Sequence, residues 1–334
     1  MLFRSVSDRA RWVGDYVAFV VAETLVQALD AAELIEVDYE PLPAIVSTAQ
    51  ATQPGAPLVW DDCPNNICFV HKGGDKAATE AAFATAAHVV EHTFPITRVT
   101  AAAMEPRGSI GHYDRAADHY TVYTTLQRAH SFRGQLSQVL NMPESKVRVV
   151  CGDIGGSFGM KSAVYNEVAL VLLASKLTGR PVKWTSTRSE AFLSDAQARD
   201  NHTTAALALD SDGRFLGLRV KTYAAIGAYL QSGADGTPVG NLGTLAGVYT
   251  TPAIHVDVTA VFTNTHPVRP YRGNGRPEAA YIIERLIDLA ADKLKIDPVD
   301  IRRRNIIPTS ALPYKTALTF TYDSGEFEKN MDMA

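Results

Sequence analysis

The spacing of apolar positions divides the chain into short runs of two kinds. Residues 16–22 (YVAFVVA) form an unbroken apolar run of the sort a buried strand uses, and residues 24–27 (TLVQ) have the capping-box spacing that opens a helix ending near Ala32 or Leu34. Residues 34–39 then alternate into Pro41 and Pro43, which predicts strand, helix and strand at the start of the chain. From Ser47 to Gly74 the text turns to Thr, Gln, Pro, Gly and Asp with weak periodicity, which predicts a surface connector and a domain boundary. Beyond it, residues 75–87 read as an alanine-rich helix, and residues 89–94 and 120–125 as strands. Residues 129–140 are helical, stopped by Asn141 and Pro143, and residues 146–151 (KVRVVC) predict a strand feeding a glycine-rich loop. A helix over 164–178 closes on Gly179 and Pro181, as helices do at a left-handed glycine cap. Residues 201–210, 216–224 and 255–263 read as long strands of a mixed sheet, and a last helix spans 279–294. The class this implies is α+β.

Composition narrows the functional classes. A length of 334 residues allows roughly two domains with real cores. Lys and Arg total 32 against 36 Asp and Glu, and with no basic stripe the net charge of -4 argues against a nucleic-acid partner. The best apolar run, residues 168–174, is far short of a membrane span, and Arg4, Asp8, Arg9 and Arg11 interrupt any secretory leader at the amino end. Cys63, Cys68 and Cys151 make no disulfide framework, so a cytoplasmic location is the expectation.

Two loops could carry chemistry. Residues 152–161 (GDIGGSFGMK) join a strand to a helix, where backbone N–H groups and the helix amino terminus can form an anion cradle; a tight structural turn explains the glycines as well. Met160 breaks the P-loop pattern and Ile154 breaks a dinucleotide fingerprint. Phe158, held between glycines, has little local core to fill and can be presented to a ligand. Residues 272–276 (RGNGR) precede Pro277 and Glu278, which suit the first turn of a helix, while Arg272 and Arg276 offer guanidinium forks. Gly156 and Gly273, Lys176 and Lys293, and Pro181 and Pro298 share one offset of 117 positions, so the two loops are candidate structural counterparts. The HVVEH run at 88–92 matches a zinc-peptidase spacing, but its residues favour a strand, where positions four apart lie about 13 Å from one another. No GxSxG elbow exists. Gln127 lies where a strand gives way to a helix, a place whose side chain often faces a crevice.

Taken together, residues 13–46, MEPRG (104–108), KVRVVCGDIGGSFGMK (146–161) and YRGNGRPEAAYIIERLIDLAADKL (271–294) resemble the molybdenum-binding large subunit of the xanthine dehydrogenase and aldehyde oxidase family. The resemblance spans nearly the whole chain. It implies the closing part of an α/β hammerhead domain over residues 1–46, a connector over 47–74, the first molybdopterin-binding domain with mixed sheets and helices over 75–310, and over 311–334 the lead into a second cofactor domain. It also implies a molybdopterin cofactor, in its cytosine dinucleotide form, with 2Fe-2S and FAD on partner subunits that take the electrons. Matched residue by residue, Gln127 falls on the glutamine near the apical oxygen of the metal, Phe158 on the aromatic beside it, and Arg272 on the arginine whose loop touches the pterin. Gly156, Ser157, Gly159 and Gly273 fall on the cofactor-binding turns, and Ser162 and Asn274 on the substrate pocket.

Departures from the family pattern refine this. Xanthine oxidases carry glutamate where this chain has Ser162 and an aromatic where it has Asn274, so purine is disfavoured. Carbon monoxide dehydrogenases carry cysteine where it has Gly273, so a copper-bridged site is not expected. Hydroxylation of an aldehyde or an N-heterocycle remains. Family members are more than twice as long, and the glutamate taken as catalytic base lies in the part that has no match here. The expectation is therefore a truncated or split catalytic subunit, inactive alone and dependent on the remainder of the large subunit. A non-catalytic binding module of the same fold, or a nucleotide-binding protein using residues 152–161, stands as the alternative.

Overall fold

The computed structural model describes residues 8–231 and 233–334. In chain order the elements are α1 (Leu25–Glu33), β1 (Ile67–Gly74), α2 (Lys76–Thr85), β2 (His88–Val99), β3 (Gly108–Asp114), β4 (His119–Thr124), α3 (Ala129–Leu140), β5 (Val147–Val150), α4 (Asn166–Thr178), β6 (Val182–Thr185), α5 (Arg188–Ser194), β7 (Ala198–Leu209), β8 (Phe215–Gly227), β9 (Ala253–Phe262), α6 (Arg276–Leu294), α7 (Pro298–Asn305), β10 (Tyr314–Lys315), β11 (Thr321–Tyr322) and α8 (Phe327–Met333).

Two mixed sheets organise them. The larger has the order β1-β9-β8-β7-β2, antiparallel except for the parallel pair β8 and β9. Its strands bury Leu207, Leu209, Leu218, Val220, Ile254, Val256 and Val258 against Ile283, Leu286 and Ile287 of α6, because alternate side chains of a strand meet the apolar stripe of a helix. The smaller has the order β5-β4-β3-β6, with β4 and β5 parallel, and buries Tyr120 and Val122 with Phe132 and Leu136 of α3 and Val168 and Leu172 of α4. The α+β class is as the periodicity indicates. Helix α3 occupies the predicted span, α4 ends on Gly179 at φ 68°, and HVVEH opens strand β2. No helix among the described residues is long and apolar enough to cross a membrane.

The amino-terminal segment departs from expectation. Helix α1 forms with its capping box, yet residues 16–22 and 34–39 are not strands, and Val17, Val21, Ile35 and Val37 are exposed. A strand exists only where a neighbour takes its N–H and C=O groups, and among the described residues none pairs with either run. The hammerhead reading of residues 1–46, whose first seven lie outside the described residues, is thus represented by one helix between unpaired segments. The connector is corrected too: residues 67–74 form an edge strand on β9. Ahead of it, buried Asn66 donates to the carbonyls of Ala51 and Pro57 and accepts the Val59 N–H, so a polar stretch that reads as loop is packed by its own side chain. The last residues fold back on the body, with Tyr322 Oη donating to the Gly247 carbonyl at 2.8 Å and Arg303 paired with Glu328 and Asp332.

Arg107, at the mouth of β3, is buried against the Tyr165 ring at 3.8 Å and pairs with Glu167 of α4 and Asp195 beyond α5, the latter at 2.7 Å. It also donates to Ser194 Oγ at 2.6 Å, and Tyr16 donates to Glu167 at 2.8 Å, which pins the amino-terminal segment to the same point. Burial pushes the Asp195 carboxyl upward, against the pull of the guanidinium. An Arg107→Leu variant leaves both carboxylates buried without a counter-charge. It is expected to lose about 3–5 kcal/mol, read as a lower urea midpoint at unchanged slope.

Candidate cofactor site

The glycine loop that follows β5 does not run directly into α4. A single 3-10 turn (Met160–Ser162) intervenes, and α4 starts only at Asn166, so the loop amides do not add to the helix amino terminus as the anion-cradle reading requires. Lys161 is unavailable to a phosphate as well. Its side chain is 1% exposed, and its Nζ donates to the Glu105 carbonyl and to Glu105 Oε2, each at 2.9 Å. Glu105 Oε2 also accepts the Gly155 N–H at 2.9 Å, while the Glu105 N–H donates to the Gly155 carbonyl at 3.0 Å. The loop is therefore clamped from below by one Lys–Glu pair. Burial opposes ionisation of Glu105, yet Lys161 and the Gly155 amide together hold its carboxyl below the ordinary value of 4.5.

The clamp sets Phe158 in the left-handed region at φ 54° with its ring 42% exposed. The Phe158 carbonyl accepts the Arg272 N–H at 2.9 Å, and the Arg272 guanidinium lies 5.4 Å from the Phe158 ring centre. The two glycine loops, 117 positions apart in sequence, thus meet. Their approach depends on Gly159, at φ 109°, where a Cβ would stand 2.1 Å from the Pro270 carbonyl oxygen. They are not copies of one unit: the first loop follows a strand of the smaller sheet, whereas residues 267–271 make only an isolated bridge, Val268 with Gln197, and lead to α6 on the larger sheet.

Gln127 completes the group. Its backbone N–H donates to the Lys161 carbonyl at 2.9 Å, and its Oε1 accepts Ser157 Oγ–H at 2.7 Å. Gln127, Gly156, Ser157, Phe158, Gly159 and Arg272 form one connected set, with Ser162 half-buried in the 3-10 turn below. Gly273 and Asn274 lie in the second turn, where the Asn274 carbonyl is held by Asn241 and Asn274 Oδ1 is buried without a hydrogen-bond partner among the described residues. Gly273 has φ 102°, and a Cβ there would meet the Pro277 ring at 2.6 Å. Two residues that carry the arrangement, Glu105 and Lys161, had no role from sequence; both stand in the quoted motifs, but nothing in the text of either motif points to the other. A cavity of about 670 Å³ lies elsewhere, between Trp12, Trp60, Tyr165 and Tyr229, and includes neither Phe158 nor Arg272.

A sequence model described as the molybdopterin cofactor-binding domain matches residues 59–306. The chain belongs to this molybdopterin-binding family. It is 38% identical to the carbon monoxide dehydrogenase large chain of Hydrogenophaga pseudoflava over 93% of this chain and 41% of that one. Among solved structures it resembles a Cu,Mo-CO dehydrogenase at a TM-score of 0.87 and 34% identity, covering 93% of this chain and 42% of the other. It also resembles quinoline 2-oxidoreductase from Pseudomonas putida 86 at a TM-score of 0.84 and 32% identity, covering 93% and 40%. The chain thus spans about two-fifths of the length of these relatives. The xanthine dehydrogenase and aldehyde oxidase resemblance read from the motifs is borne out at the level of the family.

Two outcomes test the geometry of this molybdopterin-binding fold. Gly159→Ala combines a left-handed alanine with a backbone collision. It is expected to cost about 2 kcal/mol or more in urea unfolding and to separate the Phe158 and Arg272 amide signals from their unmutated positions. The clamp has a defined pH sense: because the folded carboxyl is depressed, its contribution is complete above the unfolded value near 4.5 and is lost as pH falls through the lower folded value. The Gly155 amide signal is expected to stay constant down to that range and then shift, and in Lys161→Met to shift at higher pH.

Proposed function

We propose that this chain supplies the first molybdopterin-binding domain of a molybdenum hydroxylase that oxidises an aldehyde or an N-heterocycle. The observation that carries the reading is the meeting of the Phe158 and Arg272 loops through one 2.9 Å hydrogen bond, beside the Gln127 amide. The residues present fit a pterin-borne metal. Gln127 has its carbonyl already satisfied and its NH2 end free to donate, Arg272 brings a guanidinium to the same edge, and Asn274 Oδ1 is an orphaned acceptor. When bound, the cofactor would supply the redox step and the oxygen-transferring centre, the protein's part being binding, orientation and electrostatics.

Within that reading, Phe158 presents an apolar wall that excludes water and orients a flat substrate, and Gln127 holds an oxygen acceptor of the bound cofactor. Ser162 and Asn274 face the substrate with small polar groups in place of a carboxylate and an aromatic ring, which favours a neutral heterocycle or aldehyde over a purine. The quinoline-oxidising relative supports the heterocycle class. The catalytic base and the remaining pterin contacts come from the remainder of the large subunit. The cytosine dinucleotide form of the cofactor, an iron-sulfur and an FAD subunit as electron acceptors, and a cytoplasmic setting complete the proposal; three free thiols suit a reducing compartment.

Co-production with the remaining large-subunit sequence and the two electron-transfer subunits is expected to give a complex with stoichiometric molybdenum, without copper, that reduces a dye with quinoline or an aromatic aldehyde. Arg272→Ala is expected to lower molybdenum occupancy. The chain purified alone is expected to hold no molybdenum and reduce no dye. Tight stoichiometric metal in the isolated chain, or a full complex that binds none, would overturn the reading.

A further inference from the structure

An amide side chain has chemically opposite ends, and the end that faces outward decides what it can hold. Gln127 Oε1 lies 2.7 Å from Ser157 Oγ, and Ser157 Oγ lies 3.1 Å from the backbone N of Lys161, whose N–H it accepts. Ser157 is buried, 7% exposed. Its hydroxyl has one proton to give. Were the Gln127 amide turned over, its NH2 and the Lys161 N–H would both donate into Oγ, and the hydroxyl proton would be left without an acceptor in a place closed to water. One assignment satisfies every group: Lys161 N–H donates to Ser157 Oγ, Ser157 Oγ–H donates to Gln127 Oε1, and the Gln127 N–H donates back to the Lys161 carbonyl at 2.9 Å. The ring caps the acceptor end of Gln127 and leaves Nε2, a pure donor, as the end that can reach out.

We propose that Ser157 is a positioning residue that fixes Gln127 in the donor-outward state, so that this corner of the site accepts only a ligand oxygen or nitrogen with a free lone pair. The proposal deepens the molybdopterin reading and rests on it for the identity of the ligand, but the orientation itself follows from the chain's own hydrogen bonds. Lys161 thereby acts at both ends of its residue. Its ammonium clamps the loop through Glu105, and its peptide group holds Ser157 and Gln127 in register.

The test is nuclear magnetic resonance of the full chain labelled with 15N in glutamine and lysine, with the Gln127 side-chain pair assigned by its absence in Gln127→Glu. Ser157→Ala is expected to move or double the Gln127 Nε2 pair, as the amide gains a second orientation, and to shift the Lys161 N–H that loses its acceptor. Ser157→Thr, which keeps the hydroxyl, is expected to restore both. A Gln127 pair unchanged in a folded Ser157→Ala protein, or a folded Ser157→Thr protein that behaves like alanine, would overturn the proposal. Should Ser157→Ala fail to fold, a neutron structure of the unmutated chain decides the matter, since the Ser157 hydroxyl proton lies either on the line to Gln127 Oε1 or off it. In the assembled complex, Ser157→Ala is expected to lower kcat about three- to tenfold at an unchanged molybdenum content, with rescue by threonine. If the resonance result holds while the complex binds no molybdenum, the cofactor reading falls and the orientation of Gln127 stands.

Discussion

A single buried guanidinium ties the layers of this molecule together. Arg107 stands directly before β3, lies over the Tyr165 ring at 3.8 Å, and satisfies carboxylates from two further elements, Glu167 on α4 and Asp195 after α5. An unpaired charge at that depth would cost several kcal/mol, so each partner is required where it is. The constraint propagates to the site. Glu105, two residues before Arg107, receives the Lys161 ammonium and the Gly155 amide, so fixing Arg107 fixes the strand entry from which the glycine loop is clamped.

From that anchor the site is held by backbone and side-chain hydrogen bonds together. The Phe158 carbonyl takes the Arg272 amide, the Lys161 carbonyl takes the Gln127 amide, and the Gly155 carbonyl takes the Glu105 amide while the Gly155 amide donates to the Glu105 carboxylate. Peptide groups hold position with little rotamer freedom to lose, so the backbone share of these bonds fixes the loops at low entropic cost. The strain is local. Phe158 at φ 54°, Asn274 at φ 39° and Arg128 at φ 64° are non-glycine residues in the left-handed region, all within or next to the assembled group.

Much of this was legible in the text of the chain, and the limits of legibility have physical causes. Helices α3, α4 and α6 could be read because caps and stops are local chemistry: Asn141, Gly179 and the Gly-Arg-Pro start of α6 act within one turn. Residues 16–22 could not, because an apolar β-branched run declares only that it wants a neighbour, and the neighbour is a matter of tertiary structure. The connector misled for the opposite reason. Strand β1 carries only a short apolar start, Ile67 to Val70, inside a long polar stretch, and its pairing at the sheet edge with β9 is a matter of tertiary structure. Phe158, Gln127 and Arg272 were found through motif resemblance, whereas the Lys161–Glu105 clamp joins residues 56 apart and exists only once the smaller sheet has closed.

Gly273 shows how one backbone position constrains the second loop within a scaffold shared with its relatives. The chain is 38% identical to a carbon monoxide dehydrogenase large chain and overlays a Cu,Mo-CO dehydrogenase at a TM-score of 0.87. At position 273 the backbone itself is restrictive. A left-handed φ of 102° and a Pro277 ring 2.6 Å from any Cβ mean that a thiol could not be introduced there without moving the start of α6. The same course of the loop brings Arg272 against Phe158. Any side chain at 273 would therefore act on the Phe158–Arg272 contact through the backbone of the shared turn.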